Sequence, residues 1–302
     1  MEDLKVRSQK SEVRSQTKEI RLSVKINSFK YPDETTALHN IKLEIKNGEF
    51  IGILGSNGSG KTTLLKVIDG LMKNFSGQVL LDGVDIVTMP PKEIYKKIGL
   101  IFQNPDDQLF AATVFEDVAF GPLNMGFSEK EVLHRVKEAL INVEMIEYSK
   151  KSINNLSFGQ KKRVCIAGLL AMGHEILLLD EPTAGLDPMG EYKMMNLLKK
   201  LNKENEVTIV MATHSVDLVP LFLNNLHILS KGFIVRGGTP EEIFTGEEDM
   251  VNVKLRLPHI AELMYCLQHE DKLPLERIPL TVGEARREIL RLIENEKIKI
   301  EK

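Results

Sequence analysis

The residues Gly55-Ser56-Asn57-Gly58-Ser59-Gly60-Lys61-Thr62 follow the spacing G-x-x-x-x-G-K-[ST]. Small side chains at these positions let consecutive backbone N–H groups curl around phosphate oxygens. A helix that starts there adds its positive dipole end. Lys61 is long enough to reach the outer phosphates of a nucleotide, and the Thr62 hydroxyl can ligate Mg2+. A second constellation is Ile176-Leu177-Leu178-Leu179-Asp180-Glu181, an apolar run that ends in two carboxylates. Acids at the end of a buried strand supply the other half of a phosphate–magnesium site. Asp180 is expected to hold the magnesium through water, and Glu181 to polarise a water for attack on the terminal phosphate.

These side chains need rigid elements to bring them together. Phe50–Leu54 is a continuous apolar run that leads into the glycine turn, and a helix is expected from about Lys61 to Leu71. Strand, glycine turn and helix open an α/β unit. Ile176–Leu179 runs into Asp180-Glu181, and Val207–Ala212 runs into Thr213-His214. Strands that end in polar residues place them at the carboxyl edge of a parallel sheet, where such folds bind ligands. Upstream, alternation in Leu22/Val24/Ile26 and in Ile41/Leu43/Ile45 predicts half-buried strands on either side of the turn Tyr31-Pro32-Asp33. Helices are expected over 129–147 and 160–172. The stretch Lys161-Lys162-Arg163 reads as a solvated helix start.

Beyond Gly237-Gly238-Thr239-Pro240 the pattern changes to short helices broken at Pro258, Pro274 and Pro279. Ile260, Leu263, Met264 and Leu267 form one helical face, and Thr281-Val282-Gly283-Glu284 reads as a capping box. Residues 241–302 therefore form a small helical extension. Residues 1–20, which repeat Val-Arg-Ser-Gln, read as a disordered tail.

The chain has 302 residues, enough for one large domain plus an appendage. Lys+Arg number 40 and Asp+Glu 43, a net charge of −3 that offers nucleic acid no general attraction. Cys165 and Cys266 stand in no ligand spacing and read as packed thiols, which suits a reducing compartment. No apolar run approaches the roughly 18–20 residues that a bilayer crossing needs. Any membrane role must then pass through a partner.

The segment Leu156-Ser157-Phe158-Gly159-Gln160 discriminates among phosphate-loop enzymes. Here the chain resembles the ATP-binding-cassette ATPases, whose signature is usually L-S-G-G-Q, and the likeness spans residues 22–240. The fold class that the resemblance implies is a P-loop α/β cassette over residues 21–240. It has a helical subdomain at about 104–172, followed by the C-terminal helical extension. The implied ligands are ATP and Mg2+. Tyr31 matches the aromatic that stacks on adenine. Gly55, Ser56, Asn57, Gly58, Ser59, Gly60, Lys61, Thr62 and Thr63 match the phosphate-binding residues. Ser157, Gly159 and Gln160 match the signature that reaches the phosphate of a facing subunit. Thr62, Gln103 and Asp180 match the magnesium site. Lys61, Gln103, Glu181 and His214 match the catalytic set, and Asp187 the loop that couples the two subunits. Phe158 replaces the usual glycine. Because each chain holds one copy of every motif, the resemblance implies a dimer, either of this chain or with a sister ATPase.

Gln103-Asn104-Pro105-Asp106-Asp107-Gln108, continuing to Pro122, is similar to energy-coupling-factor importers. Lys161–Met172 and Asp180–Gly190 lean towards their cobalt and nickel subgroup. This similarity implies a peripheral protein at the cytoplasmic face of the cell membrane. Asp106 and Asp107 would meet a transmembrane coupling protein, and a separate membrane protein would capture the substrate. Leu257–Leu263 and the helix after Thr281 resemble the segment that helps hold the family's dimers together. A vitamin importer remains an alternative, as does a soluble cassette acting on nucleic acid or ribosomes. A phosphate-loop kinase leaves the signature and His214 without a role.

Overall fold

The computed structural model describes residues 19–244 and 247–300. The expected tail therefore lies outside the described residues, except at its end, where Ile20 already belongs to the first strand. In chain order the strands are β1 (Ile20–Lys30), β2 (Thr36–Lys46), β3 (Phe50–Leu54), β4 (Phe75–Leu81) and β5 (Val84–Asp85). They continue with β6 (Ile98–Ile101), β7 (Ile176–Asp180), β8 (Thr208–Thr213), β9 (Asn225–Ser230) and β10 (Phe233–Gly238). The longer helices are α1 (Lys61–Ile68), α2 (Val114–Asn124), α3 (Glu129–Asn142) and α4 (Phe158–Met172). After them come α5 (Pro188–Asn205), α6 (His259–His269) and α7 (Val282–Ile300).

Two sheets form. An antiparallel sheet has the order β2-β1-β4-β5. The second sheet runs β10-β9-β3-β8-β7-β6, parallel from β9 to β6, with β10 antiparallel at its edge. The β7 residues sort by parity, as a strand buried on both faces requires. Ile176 and Leu178 pack with the antiparallel sheet and α1, in a core that includes Leu22, Val24, Leu64 and Val79. Leu177 and Leu179 pack on the opposite side, with α2, α3 and α4 through Val118, Val136 and Val164. The parallel sheet is thus the middle layer, and a cleft opens at its carboxyl edge.

Helix ends depart from the expected bounds for local reasons. The first helix stops at Ile68, because Gly70 follows in a left-handed conformation (φ 78°). The third stops at Asn142, and residues Ile146–Tyr148 form a separate 3-10 turn. The fourth starts at Phe158, earlier than expected, because Ser157 caps it. At Thr281 the hydroxyl accepts from the Glu284 N–H (3.3 Å), but the Glu284 carboxylate reaches back to Leu280 instead of the cap residue. The C-terminal extension shares the main core through Met250, Leu257, Ala261 and Leu280, and adds a small cluster around Met264, Leu275 and Ala285.

Candidate functional site

The turn between β3 and α1 is folded as a cradle. The Gly55 N–H donates to the Thr213 carbonyl (3.2 Å), and the Ser59 N–H donates to Ser56 (3.1 Å). Gly60 has φ 108°, and a Cβ there would lie 2.8 Å from the Ala37 carbonyl oxygen, so glycine is required. The Lys61 ammonium donates to the carbonyls of Gly55 (2.8 Å) and Ser56 (3.3 Å) and lies 3.3 Å from Glu181 Oε1. The Thr62 hydroxyl donates to Asp180 Oδ2 at 2.6 Å, and the Tyr31 and Thr63 hydroxyls share a 2.7 Å bond.

Register brings the acids to that cradle. Asp180 pairs with Ala212 and Leu54 with Thr213, so three parallel strands end at one level. Immediately beyond, Glu181 adopts φ 50°, a left-handed turn for a residue with a Cβ. Its buried carboxylate accepts from His214 Nδ1 (2.8 Å) through the same Oε1 that faces Lys61. The Asp180 carboxyl is raised above the usual range, chiefly by burial and further by the Glu181 charge, while Thr62 and Lys61 oppose the shift. A cleft of about 580 Å3 opens over these groups, lined by Tyr31, Asn57, Lys61, Thr62, Gln103 and Asp180 among others. Lys231 and Gly232, in the β9–β10 turn, also line it and were not expected from the sequence. Two neighbouring left-handed residues (φ 48° and 81°) form that turn, and only the Lys-Gly pair between two strands signalled it.

A cradle of backbone N–H groups facing a paired acid and base is what phosphoanhydride hydrolysis needs. Comparison with known proteins agrees. Residues 38–184 match the ABC transporter family. A provisionally named ABC transporter ATP-binding protein of Geobacter sulfurreducens is 65% identical over 275 residues, covering 91% of this chain and 99% of that one. The chain belongs to the ATP-binding-cassette transporter ATPases. It is also similar to the energy-coupling factor transporter ATP-binding protein EcfA of Methanococcus maripaludis, at 47% identity over 89% of this chain and 96% of that one. Among solved structures, CbiO1 of Clostridium perfringens, part of the ABC transporter complex CbiONQ, superposes with a TM-score of 0.72. It is 42% identical, and the match covers 82% of this chain and 99% of that one.

Within this cassette the signature residues stand apart from the cradle. Ser157 caps α4, its hydroxyl accepting from the Gln160 N–H (3.3 Å) while Gln160 Oε1 accepts from the Ser157 N–H (3.0 Å). This is the S-x-x-Q capping box, a pattern the sequence displayed. Ser157, Gly159 and Gln160 are not among the residues that line the 580 Å3 cleft. Phe158 packs its ring on Gly185, where φ is 78° and an added Cβ would lie 3.0 Å from the ring. Asp187 caps α5, accepting from the Gly190 N–H at 2.5 Å. Asp106 pairs with Lys161 (2.6 Å), and Asp107 accepts from Asn104 (3.3 Å).

The expected solvated start at Lys161-Lys162-Arg163 is corrected at Lys162, which is 1% exposed. Its ammonium donates to the carbonyls of Glu181 and Ala184, both at 2.8 Å, and lies 5.1 Å from the centre of the Phe158 ring. Burial pulls its pKa down to about 8, against the nearby Glu181 charge. Lys162 thus ties the signature helix to the turn that carries Glu181. The donor set suits magnesium: Thr62 Oγ1 and Asp180 are hard oxygens, and a metal that keeps its waters needs few protein ligands. No group of three or more His, Cys, Asp or Glu that could hold a metal ion converges anywhere among the described residues.

Proposed function

We propose that this chain is the ATP-hydrolysing subunit that energises an energy-coupling-factor importer, working as a homodimer against a transmembrane coupling protein. The observation that carries this reading is the continuity between the nucleotide cleft and an apolar groove. Gln103 lines the cleft, and five residues further on Gln108 lines a groove of about 720 Å3 with Leu109, Phe110, Phe120 and Met172. The Phe110 and Phe120 rings meet edge to face at 4.6 Å and are 65% and 49% exposed. Exposed rings of that size mark a contact surface. Asp106 and Asp107, on the 3-10 turn Pro105–Asp107 between cleft and groove, supply acidic partners for a basic coupling helix.

In the proposed mechanism the cradle and Lys61 bind the nucleotide phosphates, and Tyr31 lies under the base. Thr62 and Asp180, with Gln103, would hold the magnesium, which supplies charge neutralisation on the phosphates. Ser157, Gly159 and Gln160 of a second copy complete the site, using backbone N–H groups and the α4 dipole. Glu181 orients and deprotonates the attacking water, and His214 steadies the terminal phosphate. Catalysis is then positioning and charge stabilisation. Cobalt or nickel is the proposed cargo, on the resemblance of Lys161–Met172 and Asp180–Gly190 to that subgroup.

The test is recovery of tagged full-length protein from detergent-solubilised membranes of its host, with partners identified by mass spectrometry. An integral coupling protein with a substrate-capture subunit is the expected result, and uptake of radiolabelled cobalt or nickel should fall when the gene is deleted. Recovery of soluble proteins or nucleic acid alone would overturn the importer reading. An intact complex without metal uptake would move the cargo to a vitamin.

A further inference from the structure

Asp217 lies three residues after His214, in a loop that belongs to neither β8 nor the short helix Val219–Phe222. The upstream end of this loop is fixed by the Ser215 N–H, which donates to Thr213 Oγ1 (3.0 Å), and by Val216, which is buried. Its downstream end is fixed from another part of the chain. The Asp217 carboxylate accepts from both terminal nitrogens of Arg256, and from the His259 N–H and Nδ1 at 2.9 Å each. Both donors come from the C-terminal extension. Arg256 leads into α6, and His259 is its first residue.

The arrangement has a physical logic. The residue before α6 is Pro258, which offers no side-chain cap, so Asp217 acts as the capping carboxylate from outside the helix. Leu257 and Ala261, either side of the contact, are buried in the main core, so the donors are rigidly placed. Arg256 also lines a cleft of about 400 Å3 together with Glu181, Glu191 and His214. Burial opposes ionisation of Asp217, yet hydrogen bonds from Arg256 and His259 hold its carboxyl below the usual range. The charged pair therefore persists at neutral pH, when the ATPase must work.

We infer that the C-terminal extension is a working part of the ATPase site: Arg256 and His259, by gripping Asp217, fix the loop that carries His214. Asp217, Arg256 and His259 are positioning residues, since none is among the residues that line the 580 Å3 nucleotide cleft; they act through the His214 imidazole and its bond to Glu181. A segment whose resemblance points to dimer contacts would then also set turnover in its own chain. The inference rests on the proposed role of His214.

A double-mutant cycle with purified full-length protein tests it, reading steady-state kcat and KM for ATP, nucleotide affinity and Tm. Asp217→Asn keeps shape and removes charge. It should lower kcat about 10-fold or more, as loss of alignment does, with KM within about twofold and Tm close to wild type. Asp217→Glu should recover part of the loss. His259→Ala removes the Nδ1 donor, keeps the backbone N–H donor and the carboxylate, and should act in the same direction with a smaller loss, which covers the case of a poorly folding Asp217 variant. On a His214→Ala background, Asp217→Asn should cost nothing further. A multiplicative loss on that background, or unchanged kcat in both single variants, overturns the inference and leaves the contact as a brace for the extension. Normal turnover in His214→Ala alone would instead remove the role of His214, and the inference with it.

Discussion

Glu181 has a left-handed backbone and a buried carboxylate whose Oε1 faces both Lys61 (3.3 Å) and His214 Nδ1 (2.8 Å). A carboxylate in that position is pre-aimed, because neither its backbone nor its side chain is free to turn away. Its negative charge is what would draw a proton from water, so Glu181→Gln keeps the shape and removes the base. We expect Glu181→Gln to bind ATP with near wild-type affinity and to lose about 10²–10⁴ in turnover, the usual worth of a positioned base. Phosphate release and fluorescent-nucleotide titration on the same preparation read the two quantities. Normal turnover in the variant would reassign the base. His214 needs no such substitution to be legible as a partner, since its ring nitrogen already bonds the acid it is proposed to serve.

Elements were legible where one local cause decides them. β3 reads straight from the sequence, as Phe50–Leu54, because a strand buried on both faces needs an unbroken apolar run. The start of α4 was missed by two residues because its cap lies inside the signature, where Ser157 and Gln160 were read only for phosphate. What stayed hidden is what distant segments create. Lys162 is buried because two carbonyls from the turn after β7 meet it, and Asp217 is held by residues about forty positions away. No spacing in one sequence encodes either. Asp69 is a further case, and it has a measurable consequence. It ends α1, where the dipole disfavours an anion, and burial pushes its carboxyl up to about 7. Between an unfolded value near 3.8 and about 7 the folded state holds the extra proton. Stability therefore falls as pH rises through that window and is flat above it. Asp69→Asn should match wild type near pH 4 and gain several kcal/mol, up to about 4, above pH 7, seen as a Tm difference that opens with pH. A Tm difference independent of pH would show that Asp69 is ionised in the fold.

At the scale of the whole molecule the proposed site is divided. The cradle and its acids share one cleft, while Ser157, Gly159 and Gln160 cap α4 outside the residues that line it. A single chain with one copy of each motif cannot put its own signature N–H groups on its own bound phosphate unless the layers come apart. Sheet and α4 share one continuous core, so that separation would expose buried surface worth far more than a nucleotide contact returns. In the proposed homodimer, two copies arranged head to tail would complete two sites with no such cost, and bound ATP would link them. Association should consequently follow nucleotide by mass action. In light scattering, Glu181→Gln with ATP and Mg2+ should double in mass, and should stay monomeric with ADP. Ser157→Arg, which places a bulky cation at the cap, should abolish the doubling. For the wild-type protein, specific activity should rise with protein concentration until the dimer saturates. Specific activity that is constant on dilution to a scattering-verified monomer would show that one chain hydrolyses ATP alone.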